Sequence, residues 1–276
     1  MPASFADYRI AAPLGATQRG PYRSWVALPP ARLGHDAEVV LIELGALDEP
    51  TWAVLRERAL QLAAIRSPWL PRLLDAGRRP DPGHPCDAWV TCDHPDARPL
   101  EEGSRKGTRG TALRQLAGAA RGAHDLHQAG LAHGDIREST VLSEGGETLL
   151  DLPWRAATGL PPQVARIGHP VELDGVEADR LWGAGATRAS DVYALGALLY
   201  RRSSGALLHP DLAGDSLVTA AQRALLESPR LEALPPGPAA ELIRECLDPD
   251  PARRPHSALA VAERIEELEG PEELED

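Results

Sequence analysis

The residues that invite chemistry are gathered in LAHGDIRESTVL, residues 131 to 142, and in DLPW, which begins at Asp151. Asp135 stands between a His-Gly pair and an apolar exit, and Asp151 follows an apolar run ending in Leu149 and Leu150. Two carboxylates presented in this way suit the handling of a polyphosphate and its metal ion, where positioning and charge neutralisation carry most of the work. Alone, a His-Gly-Asp triplet is a turn more often than a site, so its chemistry depends on what surrounds it.

The surrounding pattern predicts two kinds of structure. The first hundred residues carry short β-like runs broken by turns, DYRIAAPL, PYRSWVAL, AEVVLIEL and DAWVTCD. Between the third and fourth, EPTWAVLRERALQLAAIRSP sets Trp52, Leu55, Leu62 and Ile65 at helical spacing, with Pro68 as the stop. From about residue 110 the character turns helical. TALRQLAGAARGAHDLHQAG puts Leu113, Leu116, Ala120, Ala123 and Leu126 on one face, with Gly130 as a C-cap. SDVYALGALLYRRSSG reads as a buried central helix between a Ser/Asp N-cap and Gly205, and AAELIRECLDPD and PHSALAVAERIEELEG supply two more. The fold class predicted is α+β: a β-rich amino-terminal lobe with one main helix over 1–97, a mainly helical lobe over 98–268 joined near DHPDARPL, and an acidic tail over 269–276.

Composition narrows the function classes. The chain has 276 residues, 43% apolar and 25% charged, enough for a sizeable core. A net charge of −12 and a pI near 5.2 argue against broad attraction to nucleic acid or anionic lipid. No long uncharged apolar run and no signal-like start are found, so a soluble, cytoplasmic protein with no membrane or nucleic-acid partner is expected. Cys86, Cys92 and Cys246 are too few and scattered for a disulfide framework. Lys106 is the only lysine among 29 basic residues, so any mechanism that needs a lysine must use it.

Three blocks in order, LHQAGLAHGDIRESTVL, ASDVYALGALLYRRSSG and ECLDPDPARRP, resemble the protein-kinase family in its bacterial Ser/Thr form over almost the whole chain. HGD also looks like the aminoglycoside-phosphotransferase branch, but the other two blocks belong to the protein-kinase helical lobe. The resemblance implies a bilobal kinase-like fold with Mg-ATP as cofactor. It implies that Asp135 orients the attacking hydroxyl, that Arg137 stands near the transferred phosphate, and that Asp151 and Thr140 hold metal. It implies a nucleotide pocket lined by Gly15, Gly20, Val40, Thr91, Cys92, His94 and Leu142, with Thr91 guarding its back. His133, Asp191, Glu177 and Arg254 are implied as structural: a buried Glu177–Arg254 ion pair, and Asp191 bonded to the backbone around His133.

Several positions depart from the family pattern. Ile42 falls where the phosphate-holding lysine belongs, and Arg58, or Glu57 in a shifted register, falls where its glutamate partner belongs. Thr140 replaces an asparagine, while Leu152 and Pro153 replace the Phe and Gly after the metal-binding aspartate. Leu152 suits an apolar stack with Leu62 and His133, and Pro153 predicts one fixed loop conformation. Thr17 and Pro21 weaken the glycine-rich loop, and Lys106, Arg19 and Arg23 are the cations considered as substitutes. Gly134 removes the arginine that receives an activating phosphate, and the segment around Thr158 holds no serine, which argues against control by phosphorylation there.

Other features have plainer readings. His84, Cys86, Cys92 and His94 invite zinc, but alternation puts only Cys92 and His94 on one strand face and the spacing fits no common zinc ribbon. Six scattered tryptophans read as core. Sequence alone thus ranks first a pseudokinase, a protein-binding, scaffolding or regulatory module with little phosphotransfer. Second comes an active atypical Ser/Thr kinase using Asp135 and Asp151 with Mg-ATP.

Overall fold

The computed structural model describes residues 4–14, 23–79, 87–94, 96–100, 109–153, 170–232, 234 and 236–269. Six strands form one antiparallel sheet: β1 (Ser4–Phe5), β2 (Tyr8–Leu14), β3 (Arg23–Leu28), β4 (Val39–Gly45), β5 (Leu73–Arg78) and β6 (Ala88–Cys92), in the order β1-β2-β3-β4-β6-β5. Side chains alternate across it, as the two-residue period of a strand requires. Val40, Ile42, Ala88, Val90 and Cys92 enter the main core. Tyr8, Ala27, Val39, Leu41 and Trp89 fill a second cluster on the other face, where Phe5 meets the Trp89 ring edge-on.

Helix α1 (Glu49–Ala64) begins where the Asp48 carboxylate accepts from Thr51 N at 2.8 Å, with Pro50 in its first turn. It buries Leu55, Ala59 and Leu62, and stops at Ile65, whose backbone is extended. Strand β5 carries no strand signal in LLDAGR, because its polar and glycine residues break the alternation. Its ladder with β6 supplies what the local sequence lacks.

The helical lobe is built on α2 (Arg109–Gln128), α3 (Ala178–Leu181), α4 (Arg188–Ser204), α5 (Leu217–Leu226), α6 (Pro238–Cys246) and α7 (Ala258–Glu269) among the described residues. A three-stranded sheet of β7 (Arg98–Pro99), β8 (Val141–Glu144) and β9 (Glu147–Leu150) lies beside α2. The five α2 residues expected on one face are all buried. In α4 every residue from Ser190 to Tyr200 is buried, as a helix enclosed on all sides should be. Its start differs from the Ser/Asp cap expected. Thr187 is the N-cap, exchanging hydrogen bonds with Ser190 in a capping box. Asp191 thereby lies inside the first turn with its carboxylate released for another task. The architecture is a bilobal α+β fold, and no helix among the described residues is long and apolar enough to cross a membrane.

Candidate functional site

The loop carrying Asp135 joins α2 to β8 and is anchored from beneath by α4. Asp191, 1% exposed, accepts from His133 N at 2.7 Å through Oδ2 and from Gly134 N at 2.7 Å through Oδ1. His127 Nε2 in the last turn of α2 lies 2.8 Å from the same Oδ2. One buried carboxylate thus satisfies three donors from two elements, an arrangement that fixes the loop firmly. Gly134 has φ 72°, in the left-handed region that glycine enters without a Cβ penalty.

His133 joins the two candidate carboxylates. Its Nδ1 accepts from Asp135 N at 3.1 Å, so the ring proton belongs on Nε2, which donates to Asp151 O at 2.8 Å. Thr140 makes a parallel tie: its carbonyl accepts from Asp151 N at 2.7 Å. The Thr140 hydroxyl accepts from Arg137 N at 3.0 Å and lies 2.9 Å from Asp135 O and 3.0 Å from Arg137 O.

Around Asp135 the side chains are cationic and acidic in turn. Arg137 Nε lies 3.2 Å from Asp135 Oδ1, a charge contact without hydrogen-bond alignment, and its Nη1 donates to Glu172 Oε2 at 2.5 Å. Arg180 of α3 donates from Nη1 to Gly134 O. Burial holds its guanidinium below the usual arginine range, opposed by the charges of Asp191, Asp135 and Glu177. Glu138, buried next in the loop, lies 3.3 Å from Arg201 Nε and 3.1 Å from Arg202 Nε of α4. Asp151 is 3% exposed, its Oδ1 accepts from Leu152 N at 2.9 Å, and Leu152 enters the main core with Leu62. Pro153 is buried beside it.

The other expected site residues fall as follows. Glu177 Oε1 lies 2.6 Å from Arg254 Nη2. Val40 and Cys92 sit opposite each other on the inner face of the sheet. Ile42 is wholly buried on that face, and Arg58 is half-buried, three residues after Leu55 and four before Leu62 on α1. Thr91 is turned the other way: its hydroxyl lies 3.2 Å from Tyr8 Oη on the outer face, so strand alternation gives the inward position to Cys92. His94 has φ 60° and its Nδ1 pairs with Glu144. Leu142 is buried with Ala97 and Leu149. Gly15, Gly20, Thr17, Arg19, Pro21, His84, Cys86, Lys106 and Thr158 lie outside the described residues, as does most of the acidic tail. Among the described residues no three His, Cys, Asp or Glu side chains are grouped to hold a metal ion.

His127, Glu172 and Arg180 were missed by sequence reasoning. His127 carried a usable signal, an imidazole one helical turn from the Leu113–Leu126 core stripe. Glu172 and Arg180 carried none, since they reach the loop only through the path of the segment that bears them.

The fold is that of a bilobal protein kinase domain, and the chain is homologous to the kinase domains of bacterial Ser/Thr protein kinases. It is 29% identical over 211 residues to the DNA damage-responsive serine/threonine-protein kinase RqkA of Deinococcus radiodurans, covering 73% of this chain and 31% of that protein. It is 32% identical over 164 residues to the serine/threonine-protein kinase AfsK of Streptomyces coelicolor, covering 58% and 20%. The chain thus spans about a fifth to a third of the length of these curated relatives. The Mycobacterium tuberculosis PknI kinase domain superposes with a TM-score of 0.70 at 20% identity, covering 96% of each chain. No protein-family model matches the chain.

Proposed function

We propose that this chain is a phosphotransferase domain of the Ser/Thr protein-kinase type that uses Asp135 and Asp151. The observation carrying this reading is the tie between the two carboxylate segments, in which Asp191 holds the His133–Gly134 backbone and His133 bonds Asp151 O at 2.8 Å. Such positioning is what phosphoryl transfer asks of a protein. The curated relatives, both named as Ser/Thr kinases, support it further. On this ground it ranks above the pseudokinase reading that the sequence alone puts first.

Each residue then has a task. Asp135, with its side chain 19% exposed, accepts a hydrogen bond from the acceptor hydroxyl and orients it. Arg137, braced by Glu172, brings positive charge beside it. Magnesium is usually held by one or two carboxylates and by phosphate oxygens. The residues fit one such ion through Asp151, but Thr140 is a poor second ligand because its hydroxyl is already engaged by the loop. When bound, that ion neutralises charge on the phosphates.

A second reading, a protein-binding or scaffolding module without turnover, is favoured by Ile42. An apolar, wholly buried side chain stands on the strand where the family holds the phosphates with a cation. Transfer of the γ-phosphate from Mg-ATP to the chain itself or to casein, measured for the parent and Asp135→Asn, separates the two. Incorporation lost in the variant supports phosphotransfer; no incorporation in the parent supports the module.

A further inference from the structure

A cavity of about 470 Å³ opens between the last turn of α1, residues 65–72 leading into β5, the end of β6, and Leu152. Its volume is in the range that holds a small organic molecule. Leu62, Leu70 and Leu152 give it a buried apolar floor, and Ile65 stands half-buried at its wall. The rim is charged, with Arg66, Arg72, Asp93 and His94.

The rim charges do not balance. Asp93 Oδ1 accepts from the backbone N of Arg72 at 2.6 Å, while the Arg72 guanidinium Nε is 3.8 Å from Asp93 Oδ2, beyond hydrogen-bond distance. Arg66 is anchored by Nη1 to Ala63 O at 2.7 Å and Ile65 O at 3.0 Å, the carbonyls that end α1. His94 is occupied by Glu144, which lies outside the cavity lining. Two guanidiniums therefore face one carboxylate above an apolar floor.

We propose that this cavity binds an amphipathic monocarboxylate, its head paired with Arg72 and Arg66 and its alkyl or aryl body laid against Leu62, Leu70 and Leu152. A guanidinium matches a carboxylate in shape as well as charge. The ligand touches Leu152, whose N–H is bonded to Asp151 Oδ1, and Leu62 and Ile65 of α1. The inference is independent of whether phosphate is transferred.

The test is a thermal-shift titration of the whole chain with octanoate, without nucleotide or metal, and with octylamine as the cationic control. Octanoate raises the melting temperature of the parent and octylamine does not. Arg72→Glu, at an exposed position, raises the half-maximal octanoate concentration at least tenfold, and Ile65→Trp, which fills the cavity, removes the response. Saturation-transfer NMR of octanoate on the parent gives a second readout, and Arg72→Glu alone decides if Ile65→Trp does not fold. No octanoate signal by either method, an equal response to octylamine, or a response unchanged in Arg72→Glu overturns the proposal.

Discussion

Arg254 reaches across the helical lobe to Glu177, its Nη2 2.6 Å from Oε1, with the arginine side chain only 1% exposed. The rest of the guanidinium is also engaged: Nε donates to Asp248 O at 2.8 Å, Nη1 to Ala189 O at 3.0 Å, and its carbon lies 5.1 Å from the Tyr193 ring centroid. This one side chain joins the segment before α3, the start of α4 and the turn before α7. Its desolvation is offset by partners on every side, which makes the complete pair tolerable and a broken pair expensive.

Arg254→Ala is therefore expected to lower stability by about 3 to 5 kcal/mol, because Glu177 is left without its counter-charge and the carbonyls of Ala189, Asp248 and Pro249 lose their donor. Glu177→Gln should cost less, since an amide still accepts from the guanidinium. Urea denaturation of both variants measures this. An Arg254→Ala midpoint equal to that of the parent would mean that the pair does not organise the lobe.

Gly196 sets a close crossing of α4 and α6. A Cβ there would lie 2.4 Å from Cys246 Cβ and 3.4 Å from Leu247 Cγ. Helix propensity alone favours alanine over glycine by about 1 kcal/mol. Overpacking a tight core contact typically costs about 1 to 3 kcal/mol and should prevail. Gly196→Ala is expected to be net destabilising, with Cys246→Gly restoring part of the loss in the double variant; thermal melts of the three chains give the sign.

Asp174 gives the fold a pH dependence. It is 5% exposed, and burial pushes its carboxyl up to about 6, despite hydrogen bonds accepted from His209 N at 2.9 Å and Leu208 N at 3.0 Å. The folded carboxyl thus binds its proton more tightly than the unfolded one. Its contribution to stability is fully present below the unfolded value of 3.8 and is lost as pH rises through about 6. The neighbouring His209, pushed down by burial, acts in the opposite direction. The stability of the parent minus that of Asp174→Asn cancels the histidine and should fall by about 2 kcal/mol between pH 4 and pH 7. Denaturant unfolding across that range measures it, and a flat difference would contradict the burial argument.

Much of this architecture is legible in the chain because it is written in local pattern. The α2 stripe from Leu113 to Leu126 follows the helical period, and the alternation in AEVVLIEL separates Val40 and Ile42 from Val39 and Leu41. Other features depend on partners distant in sequence. Thr91 faces Tyr8 because β6 is held in register by β4 and β5, and a one-residue change in register would reverse it. The start of α4 rests on Thr187, a cap that competes with Ser190 and Asp191 nearby; the choice is settled by Asp191 finding His133 and Gly134 in another element. Arg180 and Glu172 reach the loop through tertiary contacts with no periodic signature.

The nucleotide grip gives the last prediction: in the proposed function Asp151 holds the metal-bound nucleotide, and the buried Ile42 offers no cation to its phosphates. Binding should therefore require the metal. At a ligand concentration about tenfold above Kd, linkage adds about 1.4 kcal/mol, or a rise of about 2 to 3 °C in Tm for a chain of this size. ATP with magnesium or manganese should produce that rise, ATP alone should not, and Asp151→Asn should abolish it. Asp135→Asn should leave it intact, since the task proposed for Asp135 is to orient the acceptor hydroxyl and not to hold the metal. A rise without metal would move the phosphate grip to another cation. No rise at millimolar ATP would favour the scaffolding module, with His133 tying Asp135 to Asp151 only to hold the loop after α2 against the segment after β9.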